Sequence, residues 1–225
     1  MTARSGPRIG LVHALRESIA PIEAAFADTW PEAETLTLFD QSLYVDYARA
    51  GGLTPELAAR VATLLRRSRR CGARAILFTG SLFGAAVEAV RAELPVPVLT
   101  SYEALITCAF SAGTRLGVVA TVADTLRLLQ EDIAHHAAAR GHAADVAGVH
   151  VAGAVEALTA GDRPTHDRLV LQALEGLAAR GDRDAILLGQ FSMSPVAAHL
   201  RAGFPVPVLT ATATAVRRLR ELAGD

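Results

Sequence analysis

The chain has no lysine and no asparagine, so all 22 of its permanently cationic side chains are arginines. That excludes a Schiff-base lysine and the lysine of a phosphate-binding P-loop. Cysteine is limited to Cys71 and Cys108, with no CxxC and no closely spaced pair. No disulfide framework or zinc site follows, and both thiols read as buried structural residues. Half of the residues are hydrophobic (51%), yet no charge-free apolar run is long enough to span a membrane. The opening MTARSGPRIGLVHALRESI is interrupted at Arg16 and Glu17, too early for a secretory signal, so a cytoplasmic location is expected. A formal net charge of −1, with both signs mixed along the helices, gives no hint of nucleic acid or a membrane surface as partner.

What is present is a duplication. Residues 75–100 (AILFTGSLFGAAVEAVRAELPVPVLT) recur without a gap as residues 185–210 (AILLGQFSMSPVAAHLRAGFPVPVLT). Each copy reads as a buried apolar strand, a small or polar turn, a short helix and a second parallel strand. The likeness extends to the opening strand of each half, RIGLVHA at residues 8–14 and RLGVVAT at residues 115–121. The fold expected is α/β: two pseudo-symmetric, Rossmann-like halves, each with a parallel four-stranded sheet. Residues 1–100 with a terminal helix at 211–225 form the first, and residues 101–210 the second, with a hinge near residues 100–114. Ligands of open α/β sheets sit beyond the carboxyl ends of the strands. The loops Thr79-Gly80-Ser81-Leu82 and Gly189-Gln190-Phe191-Ser192 are therefore expected to line one cleft between the halves.

Local signals fill in the rest. Residues 8–13 and 35–39 read as strands, separated by a helix that starts near Glu17 or Ser18 and is broken at Trp30-Pro31. Residues 44–52 are less regular and read as a lid or loop over a strand end. Thr54-Pro55-Glu56 is a strong helix start, and that helix runs to Arg70, with Gly72 as its stop. Arg66, Arg67, Arg69 and Arg70 crowd its C-terminal end, either as a solvated, dipole-matched terminus or as a phosphate site. In the second half, an Asp-capped helix spans residues 124–140, a weak strand 146–152, a short helix 154–160 and a long helix 165–179. His135-His136, His142, His150, His166 and His199 show no metal-ligand spacing. The first strand is followed by His13-Ala14-Leu15-Arg16-Glu17, with no Gly-x-Gly-x-x-Gly, no GxSxG and no GxxxxGK[ST], so no nucleotide cofactor is expected.

ILFTGSLFG, GVVATVADT, ILLGQFSMSP and the two PVPVLT strands resemble the aspartate/glutamate racemase superfamily, which includes hydantoin racemases, maleate isomerase and arylmalonate decarboxylase. The resemblance covers nearly the whole chain. It implies a small carboxylate-bearing ligand, no cofactor or metal, and, by analogy, a homodimer. In the racemases of that family a cysteine stands in each strand-end loop. On that pattern Gly80 occupies the first cysteine position and Gln190 the second, so two-thiol racemisation is not available. Gly80 with Ser81 is similar to the loop of arylmalonate decarboxylase, which also carries glycine there. The resemblance assigns carboxylate oxygens to Thr79, Ser81, the amides of Ser81 and Leu82, Thr121, Gln190 and Ser192; Tyr44 and Tyr47 lie in the loop after Asp40, and Tyr44 is a further candidate to meet the ligand.

His13 and Asp40, at the ends of the first two strands, are the candidate acid and base. Each has a plainer reading beside it: a hydrogen-bonded loop histidine, and an Asx-turn at Asp40-Gln41-Ser42. Ser81 and Ser192 have one too, as helix N-caps. Leu82, Phe83, Phe191 and Met193 are either core residues or the wall of a more apolar site. Two functions follow from the resemblance: a cysteine-independent isomerase or lyase acting at the carbon next to a carboxylate, or an inactive homologue that binds a small molecule.

Overall fold

The computed structural model describes residues 6–200 and 202–224; the first five residues of the N-terminal stretch read above for a leader lie outside them. The chain divides into two compact units, one running to Ala104 and resuming at Thr212, the other Leu105–Ala211. The first contains β1 (Arg8–His13), α1 (Ile19–Thr29), β2 (Glu34–Phe39), α2 (Ser42–Ala50), α3 (Pro55–Arg70), β3 (Ala75–Phe78), α4 (Gly84–Arg91) and β4 (Val98–Leu99). After α5 (Glu103–Ala112), which crosses the boundary, come β5 (Arg115–Ala120), α6 (Ala123–Ala138), β6 (Asp145–His150), α7 (Ala154–Thr159), α8 (Arg163–Ala178), β7 (Ala185–Leu188) and β8 (Val208–Thr210). The terminal α9 (Ala211–Ala223) returns to the first unit, where Arg220 reaches the carbonyl of Thr29.

Each unit is built on a wholly parallel four-stranded sheet, ordered β2-β1-β3-β4 in the first and β6-β5-β7-β8 in the second. The duplicated strands β3 and β7 are buried along their whole length, as strands covered on both faces must be. Edge strands β2 and β6 are half-exposed. The other edge begins at the Pro-Val-Pro segments, where proline needs no ladder donor. There Pro97 accepts from Ile76 N and Pro207 from Ile186 N, both at 2.9 Å.

Helices α3 and α8 pack in matching positions and start alike. Thr54 Oγ1 accepts from Leu57 N at 3.3 Å, and Asp162 Oδ1 accepts from Thr165 N at 3.1 Å. Proline in the first turn of each supplies a preset φ. Leu57, Val61, Leu65 and Ser68 make the buried stripe of α3; His166, Val170, Leu174 and Leu177 make that of α8. Helix α3 lies so close to β1 that a Cβ at Gly10 would come within 1.9 Å of Ser68 Oγ.

Four local expectations are corrected. Residues 44–52 belong mainly to α2, because Asp40 Oδ1 accepts from Ser42 N at 3.0 Å and starts a helix, which left-handed Gly51 (φ 71°) ends. The helix α6 is not Asp-capped: its N-cap is extended Val122 with no side-chain bond, and Asp124 lies inside the first turn. The crossover after β7 is a nine-residue 3₁₀ segment, Phe191–His199, with Pro195 inside it, since proline cannot donate to an α-helical ladder. Neither thiol is buried: Cys71 is exposed where α3 turns into Gly72, and Cys108 is half-buried beside exposed Thr107 on α5. No helix among the described residues is long and apolar enough to cross a membrane.

Candidate functional site

In the first unit the carboxyl ends of three neighbouring strands bring Phe39, His13 and Thr79 into one row. His13 pairs in register with Phe39, and Thr79 N donates to Val12 O at 2.9 Å, continuing the β1–β3 ladder. His13 is fully buried, and burial alone lowers its pKa from 6.5 to about 4. Its Nδ1 lies 2.9 Å from both Ser18 Oγ and Thr79 Oγ1, which are themselves 3.0 Å apart. The Ser18 hydroxyl donates to Leu15 O at 2.7 Å, so its proton is committed. The Thr79 hydroxyl, whose contact with the backbone acceptor Val12 O is a long 3.4 Å, is then the one able to donate to a bare Nδ1; with Nδ1 protonated instead, the imidazole donates to the two oxygens. In both tautomers Nε2 is buried without a partner among the described residues.

Gly80 follows Thr79 with an extended backbone and is the N-cap of a 3₁₀ turn, Ser81–Phe83, without a side-chain cap. Its lack of a side chain has a packing cause. A Cβ there would stand 2.6 Å from Phe78 Cε1, 3.0 Å from Phe83 Cδ2 and 3.3 Å from the Ala14 Cβ. Leu82 and Phe83 are core residues. Tyr47 of α2 meets Phe83 edge-on at 5.6 Å, so α2, which also carries half-buried Tyr44, packs beside this loop.

At the end of β2, the Asx-turn reading of Asp40 describes what is found. Its Oδ1 accepts from Ser42 N and Oγ, and its Oδ2 from Arg60 at 2.9 Å; Arg60 also holds Asp46 at 2.7 Å. Although partial burial opposes ionisation, the bonds from Ser42 and Arg60 prevail and hold Asp40 below the ordinary carboxylate range. A carboxylate so engaged has little proton affinity to offer a substrate.

In the second unit Gln190 stands at the position equivalent to Gly80, the extended N-cap of the 3₁₀ segment after β7. Its Oε1 accepts from Thr121 N at 2.6 Å and from Thr121 Oγ1 at 2.9 Å. Both donors of Thr121 are thereby used on glutamine, which departs from its expected role as a carboxylate-binding hydroxyl. Because backbone N–H demands an acceptor, the amide orientation is determined, and Nε2 is the end of Gln190 left to donate. His150 Nε2 donates to Thr121 O at 3.2 Å, and Arg163 donates to Ser192 O at 3.1 Å, fixing the loop from behind. Ser81 and Ser192 lie one and two residues inside their 3₁₀ segments, and neither segment has a side-chain N-cap bond.

Ser18, Arg60, His150 and Arg163 hold this framework; sequence offered Ser18 only as a helix start and His150 only as a histidine without ligand spacing, and did not single out Arg60 or Arg163. The bonds Ser18–Thr79, Arg60–Asp40, His150–Thr121 and Arg163–Ser192 each cross a gap set by topology, without a motif spacing to mark it. Of the remaining histidines, His166 is buried with Nδ1 2.6 Å from Asp167 Oδ1, and His136 stacks on Phe110 at 5.1 Å. No group of three His, Cys, Asp or Glu side chains among the described residues could hold a metal ion.

Two α/β units, each on its own sheet of parallel strands and with equivalent loops after β3 and β7, define a duplicated strand-end architecture. Residues 18–219 match the sequence model of the Asp/Glu/Hydantoin racemase family, and the chain belongs to that family. Among solved structures it is similar to allantoin racemase from Klebsiella pneumoniae: 24% identity, 96% of this chain and 87% of that one, TM-score 0.73. It is also similar to an aspartate racemase homologue from Pyrococcus horikoshii, at 15% identity over 98% of this chain and 100% of that one, TM-score 0.71. Arylmalonate decarboxylase matches at 22% identity over 97% and 93% of the two chains, TM-score 0.62. At these identities the likeness establishes the fold. No curated protein sequence matches the chain.

Proposed function

We propose that this member of the racemase family binds a small carboxylate at its strand-end loops and acts on the carbon next to it by proton transfer without cysteine, as an isomerase or a lyase. The observation that carries the reading is Gln190: its oxygen is anchored on Thr121, so its amide nitrogen is a preset donor at the position equivalent to Gly80. Thr79, Ser81, the amides of Ser81 and Leu82, and Ser192 are the further donors in the proposal.

For the proton, the proposed route runs through Thr79. Its Oγ1 takes the α-proton while its own proton passes to a bare His13 Nδ1 across the 2.9 Å Oγ1–Nδ1 hydrogen bond, leaving a carbanion conjugated with the carboxylate and an imidazolium. The reverse transfer returns a proton to the carbon. His13 itself is too deeply buried to meet a ligand, so Thr79 is the group in contact. A second reading, a binding protein without chemistry, is favoured by one observation: burial holds His13 near 4, and neither loop carries a group that titrates near neutrality.

Solvent-deuterium exchange at the α-carbon of amino acids, hydantoins and substituted malonates separates the two. The enzyme reading expects exchange that His13→Ala and Thr79→Val both abolish. Exchange that persists in both variants rules out this route. No exchange with any of them, alongside saturable thermal stabilisation by one, selects the binding protein.

A further inference from the structure

We propose that Arg16 is a specificity-determining residue that takes a second anionic group of the ligand, so that the site prefers dianions to monoanions; this rests on the carboxylate reading above. The guanidinium of Arg16 lies over the ring of Phe39, 5.4 Å from its centroid. Phe39 pairs in register with His13 on the neighbouring strand. Register partners in a parallel sheet project from the same face, with backbones about 4.8 Å apart. Arg16 is therefore tied to the same strand-end row as His13 and Thr79, one strand further out. It also opens the short turn Arg16–Ser18 whose last residue contacts both of them.

Arg16 is exposed and forms no ion pair or hydrogen bond through its guanidinium among the described residues, whereas Arg60, at the same end of the sheet, is consumed by Asp40 and Asp46. Arg67 and Arg70, which have no carboxylate partner among the described residues, sit at the end of α3 that leads into the start of β3, at the opposite, amino end of the strands. A guanidinium that meets only a ring face keeps its N–H groups available for a planar oxyanion, which it can grip with two parallel bonds.

The test uses methylmalonate and propionate, which differ by one carboxylate, titrated at pH 7.5 against the full chain and against Arg16→Gln and Arg16→Lys. Methylmalonate is expected to bind the unaltered chain about tenfold or more tightly than propionate. Arg16→Gln should bring methylmalonate down to the level of propionate, with the affinity for propionate itself retained, and Arg16→Lys should retain part of the preference. Equal binding of the two anions, or a preference that survives Arg16→Gln, overturns the role of Arg16 while leaving the carboxylate site standing. Failure of the unaltered chain to bind either anion refutes the carboxylate reading itself.

Discussion

Installing a thiol at Gly80 is the obvious way to move this chain towards a cysteine racemase, and the packing around Gly80 predicts that it will fail for a steric reason. The obstacle is the Cβ, not the sulfur. At 2.6 Å from Phe78 Cε1 and 3.0 Å from Phe83 Cδ2 it falls well inside van der Waals contact, and the ring atoms belong to two fully buried side chains. Those rings support each other edge-to-face, with centroids 5.7 Å apart, so neither can turn aside alone. Forcing a methylene into such a core costs about 1–3 kcal/mol. At roughly 2–4 °C per kcal/mol for a chain of this size, the melting temperature should fall by about 2–12 °C. Gly80→Ala should cost nearly as much as Gly80→Cys, since both add the offending atom. Phe83→Leu destabilises by itself, but Gly80→Cys should then cost less on that background than on the unaltered one, a coupling read from the double-mutant cycle. Urea denaturation of the four proteins measures it. A Gly80→Ala variant as stable as the unaltered chain, or strictly additive effects, would refute the reasoning.

At Gln190 the opposite substitution problem arises: Gln190→Cys removes the one acceptor shared by Thr121 N and Oγ1 and should cost about 1–3 kcal/mol in urea unfolding; a loss below about 0.5 kcal/mol would mean that the donors find other partners. Stability should also depend on pH through His13, which stays neutral in the folded chain down to about 4 but titrates near 6.5 once unfolded. Between those values the unfolded chain binds the extra proton, so stability is complete above about pH 7.5, falls as pH drops through 6.5, and is lower by about 2 kcal/mol at pH 5. His13→Gln should lose that part of the dependence when urea unfolding is compared at pH 7.5 and 5; the same drop in both proteins would contradict it.

The parts of the fold that were legible in sequence are those where a local signal and the tertiary outcome coincide. Four successive buried residues in each copy, AILF and AILL, can only be strands covered on both faces once they recur in the same setting, and the Pro-Val-Pro segments mark the edges that follow. Thr54-Pro55 announces α3 through a cap that its side chain does make. Helix α2 was hidden because its start is an Asx-turn at Asp40 and its position depends on Arg60, 20 residues beyond Asp40. At the site, sequence named the two loops and the equivalent pair Gly80 and Gln190, because the duplication points to them. It could not show that Thr121 spends both donors on Gln190 or that His13 is sealed behind Thr79. Those contacts join residues more than sixty positions apart, and no periodicity encodes them. The exposure of Cys71 escaped for a related reason: whether a thiol is buried depends on how the chain leaves α3, not on the residue type.

The central claim is chemistry at the carbon next to a carboxylate that needs no sulfur, and the most direct test removes both cysteines. With Cys71→Ala and Cys108→Ala combined, the account predicts that solvent deuterium enters the α-position of a substrate at the rate seen with the unaltered chain. Exchange present in the unaltered protein and absent from the cysteine-free one would contradict it.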